Sequence, residues 1–181
     1  LHYGHAGAPN DRELQEGDMA LLDMGAEYHG YVSDITCSFP LSGKFTSDQR
    51  AIYEGVLSAQ RVVLENMVPG TGFDTCHGLA LREVVTALRG VGVLLSSAGS
   101  VDDMMAAQLG AVFMPHGLGH LIGCDVHDVG GYIAGSTPAR RSEPGFKNLR
   151  TARVLEAGMV LTNEPGCYFI ESLLEAALAN P

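Results

Sequence analysis

Three histidines and two aspartates lie close together in the middle of this chain. Two short runs carry them, His116-Gly117-Leu118-Gly119-His120 and Asp125-Val126-His127-Asp128. Further carboxylates stand at two other places, the pair Asp23 and Asp34 and the single Glu164 ahead of Pro165-Gly166. Imidazole together with several carboxylates is the ligand set of a hydrolytic metal site, not of a redox or nucleotide site. The sequence therefore directs the search for function to these clusters.

The spacing of the histidines limits which of them can bind a metal. His116 and His120 are four positions apart, which would place both on one face of a helix, but the two glycines between them disfavour a helix. An extended or looping backbone fits better, so we expect only one of the pair to be a ligand. His127 could instead act as a hydrogen-bond donor or proton shuttle. A single histidine is more often structural than functional, but several next to glycine turns weaken that alternative.

The two aspartates can be placed against each other if residues 19–25 and 31–39 form a hairpin. A turn at residues 28 and 29 would set Asp23 directly opposite Asp34, with Cβ atoms roughly 5 Å apart. Two bare carboxylates there would repel each other unless one held a proton or a cation lay between them. The alternative is that each is an ordinary strand-end or turn residue, and a one-residue shift of the pairing would undo the argument.

Glu164 stands in a strand-like run where an unpaired buried carboxylate would be costly. The proline after it cannot donate a ladder hydrogen bond and indicates an edge or a bulge, the kind of place where side chains are re-aimed toward an active site. Arginines at positions 140, 141, 150 and 153 are cationic outliers in an acidic chain. They are either solvated loop charges or a guanidinium fork for a substrate carboxylate.

Helical segments surround these clusters. Thr46 and Gln49 form a capping box that begins a helix ending before Pro69-Gly70, and Asp74 is predicted to cap a second helix that ends at Gly90. A shorter helix is predicted from Ser100 and a last one over residues 171–179. Strand-like segments are predicted at 111–114, 120–126 and 159–169, and an exposed loop at 130–153. This order predicts an α+β fold with an antiparallel sheet and helices on one side.

Composition excludes several classes of function. The length of 181 residues suits one domain with a substantial core. A formal net charge of −10 argues against a nucleic-acid partner, and no apolar run is long enough to span a membrane. The four cysteines are far apart and form no Cys-x-x-Cys pair, so we expect reduced, mostly buried thiols in a cytoplasmic protein.

Six segments in order resemble those of eukaryotic-type prolidases, the Xaa-Pro dipeptidases of metallopeptidase family M24, across nearly the whole chain. They are Leu1-His-Tyr-Gly-His-Ala-Gly7, Asp23 with Ser33-Asp-Ile-Thr-Cys-Ser-Phe39, His116-Gly-Leu-Gly-His120, His127-Asp-Val-Gly-Gly131, Leu149-Arg-Thr-Ala-Arg153 and Asn163-Glu-Pro-Gly166. The resemblance implies the pita-bread (creatinase/aminopeptidase-like) fold. It also implies hydrolysis of dipeptides with a C-terminal proline and, in the intact protein, a homodimer.

The resemblance also implies roles for particular residues. A two-metal site, usually manganese, would use Asp23, Asp34, His120 and Glu164, with Asp34 bridging the metals, although Co²⁺ or Zn²⁺ suits the same ligands. A metal-bridging hydroxide would attack the scissile carbonyl, and Glu164 would take its proton. Substrate would be held by His5, His116 and His127, and Arg150 would bind the carboxylate of the proline.

The chain departs from the family pattern in one respect. The fifth ligand of the family, a second glutamate on a downstream strand, has no counterpart before residue 181. We therefore interpret residues 1–181 as a partial catalytic domain, without the amino-terminal domain and the final strands, and predict little activity for it alone. Two alternatives remain open, an Xaa-Pro aminopeptidase of the same fold and a non-catalytic binding module.

Overall fold

The first regular element among the described residues is one long β-hairpin. The computed structural model describes residue 11 and residues 13–179, so the predicted site residue His5 lies outside the described residues. The outer part of the hairpin pairs β1 (Met19–Met24) with β4 (Ile35–Pro40), and the inner part pairs β2 (Glu27–Tyr28) with β3 (Tyr31–Val32). His29 and Gly30 form the turn, with φ of 51° and 79°. Two consecutive positive φ angles are typical of the type I′ turn, whose twist matches that of paired strands.

The predicted pairing of the hairpin is wrong. Asp23 lies opposite Thr36, not opposite Asp34. The turn occupies residues 29 and 30 instead of 28 and 29, so each residue meets a partner two positions further along. Because side chains alternate with a period of two, this shift keeps Asp23 on the same face as Thr36 and, one step further, Asp34.

Within the part of the chain that the structure describes, five α-helices follow the hairpin. α1 begins after the predicted capping box, in which the Thr46 side chain accepts from Gln49 N–H and the Gln49 side chain from Thr46 N–H. The second helix is capped by Gly72 and not by Asp74 as predicted, because Asp74 already lies within its first turn. A short 3₁₀ turn covers Ser96–Ala98. The helices are α1 (Ser47–Asn66), α2 (Phe73–Gly90), α3 (Val101–Ala106), α4 (Gly110–Phe113) and α5 (Glu171–Leu178).

The core lies between α1 and α2 and continues beneath the histidine segment. The two helices approach closely at Gly55, where an added Cβ would lie 2.5 Å from Ala87 Cβ. Their facing side chains are almost fully buried, as are Leu118 and Leu149 from the loops behind them. The core therefore joins the helices to the segments that carry the predicted site.

Several predicted strands have another structure. Residues 111–114 are mostly helical, since α4 covers Gly110–Phe113. Residues 120–126 and 159–169 form no regular strand, but their first parts run antiparallel, with a bridge between Leu121 and Leu161 and a hydrogen bond from Ile122 N–H to the Val160 carbonyl (3.2 Å). Only a few residues of the two segments pair. Gly123 interrupts the ladder in the first segment, and Pro165 interrupts it in the second.

Residues 130–153 are not simply an exposed loop. Leu149, Thr151 and Ala152 at its end are buried, because this part packs against the histidine segment. All four cysteines are free, but Cys37 and Cys124 are exposed, so the expectation of mostly buried thiols is wrong. Among the described residues, no helix has the length and apolar character needed to cross a membrane.

Candidate metal centre

The glycines of the His116–His120 run allow two other segments to approach it. A Cβ on Gly117 would lie 2.8 Å from Leu149 Cα, and one on Gly119 would lie 2.3 Å from the Thr162 carbonyl oxygen. Real Cβ atoms do not come this close to backbone, so a larger residue at either position would push the neighbouring segment away. Gly117 thus allows the segment before Arg150 to approach closely, and Gly119 allows the segment before Glu164 to do the same.

The Glu164 segment is fixed against the histidine segment by backbone hydrogen bonds. Thr162 N–H donates to the His120 carbonyl (2.9 Å), and Glu164 N–H donates to the Leu118 carbonyl (2.9 Å). His120 and Glu164 are therefore held on adjacent, antiparallel stretches of chain. The Thr162 hydroxyl donates to Glu164 Oε1 (2.7 Å) and orients the carboxylate.

The hairpin brings the third side chain. Its tip is tied to the segment after His120, because Val32 N–H donates to the Gly123 carbonyl (2.9 Å). Two residues further along, Asp34 Oδ2 lies 3.2 Å from His120 Nε2. The same nitrogen lies 3.2 Å from Glu164 Oε1. Asp34, His120 and Glu164 together offer one ligand atom each, all within 4.8 Å of one another.

This arrangement fits a divalent metal ion. His120 Nδ1 lies 3.0 Å from the Leu121 carbonyl, which can only accept, so Nδ1 carries a proton, and when the ring is neutral Nε2 presents its lone pair to the two carboxylates. A lone pair facing two anionic oxygens is repulsive unless a proton or a cation lies between them. Ligand atoms about 2.0–2.2 Å from one ion would be roughly 3 Å apart, which matches the two separations of 3.2 Å between His120 Nε2 and the carboxylate oxygens.

Burial and charge shape the protonation of these groups. Burial lowers the pKa of His120, but hydrogen bonds to Glu164 and Leu121 and the nearby carboxylates outweigh it, so the net pKa is raised. For Glu164, burial raises the pKa, and hydrogen bonds from His120 and Thr162 outweigh this and lower it. The side chain of His120 is 5% exposed while that of Glu164 is 39% exposed, so the cluster opens to solvent on the glutamate side.

Asp23 lies beside the cluster without being part of it. Burial raises its pKa first, and the negative charges of Asp34 and Glu164 raise it further. The Asp34 side chain also raises this pKa by direct interaction, and the Thr36 side chain lowers it. The two aspartates are therefore close despite the shifted pairing, and they have the mutual repulsion that was expected of them.

Two of the other predicted site residues, His127 and His116, interact with the residues of this cluster. The ring of His127 packs edge-on against His120, with centroids 4.4 Å apart, and its side chain is exposed. Burial lowers the pKa of His127, and the positive charge of Arg150 lowers it further. The Nδ1 of His116 lies 2.8 Å from the Gly117 carbonyl and its Nε2 lies 3.1 Å from the Tyr168 hydroxyl, and its charge helps to lower the pKa of Glu164.

The remaining arginines are engaged elsewhere. Arg140 packs over the Tyr132 ring, and Arg141 packs over Phe146 and pairs with Glu143 (3.0 Å). Arg153 Nη1 donates to the Gly130 carbonyl (3.3 Å). Of these four arginines, Arg150 is exposed and its charge lowers the pKa of His127, which leaves it as the candidate for a substrate carboxylate.

Two residues of the site were missed in the sequence. Thr162 contacts both His120 and Glu164, and Tyr168 contacts His116. A signal existed for Thr162, because residues two apart on an extended segment share a face, so the side chain two positions before a carboxylate ligand can touch it. Nothing comparable marks Tyr168, which follows the irregular Pro165-Gly166.

The profile of metallopeptidase family M24 matches residues 1–177. The chain is 60% identical to the human Xaa-Pro dipeptidase over 181 residues, which are 100% of this chain and 36% of that protein. It is 42% identical over 182 residues to a probable Xaa-Pro aminopeptidase of Verticillium alfalfae, covering 37% of it. The structure of zinc-substituted Escherichia coli aminopeptidase P in complex with product superposes with a TM-score of 0.74 and 40% identity, over 90% of this chain and 33% of that one.

The α+β architecture and these structural neighbours define the pita-bread fold. The chain belongs to metallopeptidase family M24. It spans little more than a third of the length of the curated relatives it matches.

Proposed function

We propose that this chain forms part of the catalytic domain of a metal-dependent Xaa-Pro dipeptidase, which releases proline from dipeptides. The single observation that carries the proposal is the convergence of Asp34, His120 and Glu164 on one point, with ligand atoms within 4.8 Å of one another. Identity of 60% to the human Xaa-Pro dipeptidase supports the dipeptidase over other members of the family.

Asp34, His120 and Glu164 would hold one divalent ion, and Asp23 beside Asp34 would help to hold a second. Manganese is the proposed metal because carboxylates dominate this ligand set, and carboxylate oxygens suit Mn²⁺ well. When bound, the metal supplies Lewis-acid polarisation of the scissile carbonyl and lowers the pKa of water. Co²⁺ and Zn²⁺ are the alternatives.

The surrounding residues would bind substrate and move protons. Glu164 is 39% exposed on the open side of the cluster, where its carboxylate can receive a proton from the attacking water. His127, which packs against His120, and His116 would donate hydrogen bonds to the substrate and to the developing oxyanion. The same substrate-binding role is proposed for His5.

Arg150 would set the length of the substrate. Its exposed guanidinium, whose charge acts on His127, can form two parallel hydrogen bonds with the carboxylate of a C-terminal proline. A peptide that continues beyond proline would have an uncharged amide at that place. This is the physical reason for proposing a dipeptidase instead of an aminopeptidase that accepts longer chains.

A direct test compares substrates in the natural protein that contains this chain. We expect Gly-Pro to be hydrolysed with Mn²⁺ and not after chelation, and a tripeptide with internal proline to be a poor substrate. Arg150→Gln should raise KM for Gly-Pro strongly, whereas Arg89→Gln, at the far end of α2, should not. Efficient cleavage of the tripeptide, insensitive to Arg150→Gln, would favour the aminopeptidase; no metal-dependent hydrolysis of either peptide would refute the proposal.

Three further expectations belong to this proposal. Residues 1–181 alone should have little activity, because the site described here has ligands enough for one tightly held ion and not for two. A homodimer is expected on the resemblance. A cytoplasmic location is supported by the four free cysteines, because thiols stay reduced in that compartment.

A further inference from the structure

Thr162 replaces one backbone hydrogen bond of the site with its own side chain. In an antiparallel pair, two directly opposite hydrogen-bonded residues exchange both of their N–H···O=C bonds. Thr162 N–H does donate to the His120 carbonyl (2.9 Å). His120 N–H, however, donates to Thr162 Oγ1 (3.0 Å) and not to the Thr162 carbonyl.

The use of the hydroxyl as acceptor in place of the carbonyl fixes the direction of the hydroxyl proton. An N–H group can only donate, so Thr162 Oγ1 is the acceptor from His120 and must direct its single proton elsewhere. That proton lies on the line to Glu164 Oε1, 2.7 Å away. Glu164 Oε1 is also the oxygen that faces His120 Nε2 at 3.2 Å.

The packing around Thr162 leaves little freedom for another arrangement. A Cβ on Gly119 would lie 2.7 Å from Thr162 Oγ1 and 2.3 Å from its carbonyl oxygen. The next residue, Asn163, is anchored to α1 through its Nδ2, which donates to the Gln60 carbonyl (3.0 Å). The backbone on both sides of the hydroxyl is therefore held in place before any metal binds.

We propose that Thr162 is a positioning residue of the metal centre: its hydroxyl, held by the His120 N–H, selects Glu164 Oε1 as the oxygen turned toward His120 and the metal. This proposal rests on the proposed metal site. Because one hydroxyl contacts two of the three ligand residues, it sets their relative position. Hydrogen-bond partners behind metal ligands typically change metal affinity by about 10–100-fold when removed.

The test measures Mn²⁺ binding by calorimetry in the natural protein, after removal of metal, with Mn²⁺ alone as the probe. Thr162→Val keeps the shape and removes the hydroxyl, and Thr162→Ser restores the hydroxyl without the methyl. We expect Thr162→Val to weaken binding by about 10–100-fold and Thr162→Ser to stay within about threefold of the wild type, because the hydroxyl carries the effect.

Val84→Ala is the control for a general loss of stability, because Val84 is buried in α2 away from the cluster. It should lower the melting temperature and leave Mn²⁺ affinity unchanged. If Thr162→Val does not fold, Thr162→Ala takes its place with the same expectation. Wild-type affinity in the variant without the hydroxyl, or an equal loss in Val84→Ala, would overturn the positioning role alone. A wild-type protein that binds no Mn²⁺ would overturn the proposed metal site and this inference with it.

Discussion

The pair of helices α1 and α2 and the hairpin β1–β4 are built on different principles. The helices bury a continuous set of apolar side chains, with Phe73 and Leu88 at 0% and 1% exposure. The hairpin leaves the apolar side chains of one face in the open, with Ile35 62% and Met24 55% exposed. Its link to the histidine segment consists of the Val32–Gly123 hydrogen bond and the Asp34–His120 contact.

Stability and chemistry therefore lie in different parts of this molecule. His120 and Glu164 are held by segments packed on the helical core, whereas Asp23 and Asp34 come from an element with little packing of its own. We expect changes in the helices to act mainly on stability, and changes at the cluster to act mainly on metal binding and catalysis. Four substitutions test that division.

His120→Ala should have the largest effect on activity of the four substitutions. Loss of the central imidazole removes a metal ligand, so we expect kcat/KM for Gly-Pro to fall by about 10³-fold or more, because the metal supplies several kcal/mol of transition-state stabilisation. Steady-state kinetics with saturating Mn²⁺ would measure it. His29→Asn, an exposed histidine at the hairpin turn where asparagine tolerates the positive φ, is the control and should keep full activity.

Phe73→Ala should show the reverse pattern. Removal of a fully buried phenyl ring in α2 should lower the free energy of unfolding by about 3–5 kcal/mol. Ile35→Ala, on the exposed face of β4, should cost less than about 1 kcal/mol. Urea unfolding of both variants checks the comparison, and equal losses would mean that the hairpin face is covered in the natural protein.

Acid should weaken the helical region through His77, which is fully buried in α2. Burial lowers its pKa from 6.5 to about 4, the Gly145 carbonyl acts against this, and Asp74, Arg141 and His116 are the charged groups that face it. The folded state therefore favours neutral His77. Its contribution to stability is complete above pH 6.5 and is lost as the pH falls toward 4, by up to about 3 kcal/mol.

The measurement is the free energy of unfolding at several pH values between 7 and 4. His77→Gln removes the titrating group and should flatten the curve in this window, whatever its stability at pH 7. His29→Asn should leave the slope of the wild type. An unchanged slope in His77→Gln would mean that other groups cause the acid sensitivity.

Gly119→Ala should have a smaller effect on stability than Phe73→Ala but should reveal how the two regions join. The new Cβ would lie 2.3 Å from the Thr162 carbonyl oxygen, so the Glu164 segment must shift, at a cost of about 1–3 kcal/mol. Gly90→Ala, at the end of α2 with nothing within 4 Å, is the matched control and should be neutral. The melting temperature and the Mn²⁺ affinity should both fall in Gly119→Ala. Neither should change in Gly90→Ala.

Helices and local signals were the most predictable parts of this molecule. The Thr46 capping box and the beginning of α3 at Ser100 lie where the sequence places them, because caps depend only on residues three positions apart. The hairpin was also predicted, but not its register. A turn at 28–29 or at 29–30 differs by one residue in sequence, and the choice depends on Gly30 adopting the positive φ that a type I′ turn requires.

The convergence of the site could be predicted only through the resemblance to a family. Asp34, His120 and Glu164 are far apart in sequence, and no local pattern says that they meet. The short pairing between the Leu121 and Leu161 segments, which brings two of them together, is too brief to give a strand signal. The role proposed for Thr162 could not be predicted from the sequence either. It depends on the Thr162 hydroxyl accepting the hydrogen bond from His120 N–H in place of the Thr162 carbonyl.

The Asp34–His120–Glu164 cluster also has a consequence for the order in which the chain opens. An ion bound there would cross-link residues 34, 120 and 164 and close two long loops, and cross-links of this kind reduce the entropy of the open chain. Without the ion, the hairpin is joined to the body by few contacts and should be the first element to detach. Hydrogen exchange should therefore be fast in β1 and β4 of the metal-free chain and slow in α1 and α2, with Mn²⁺ reducing the difference.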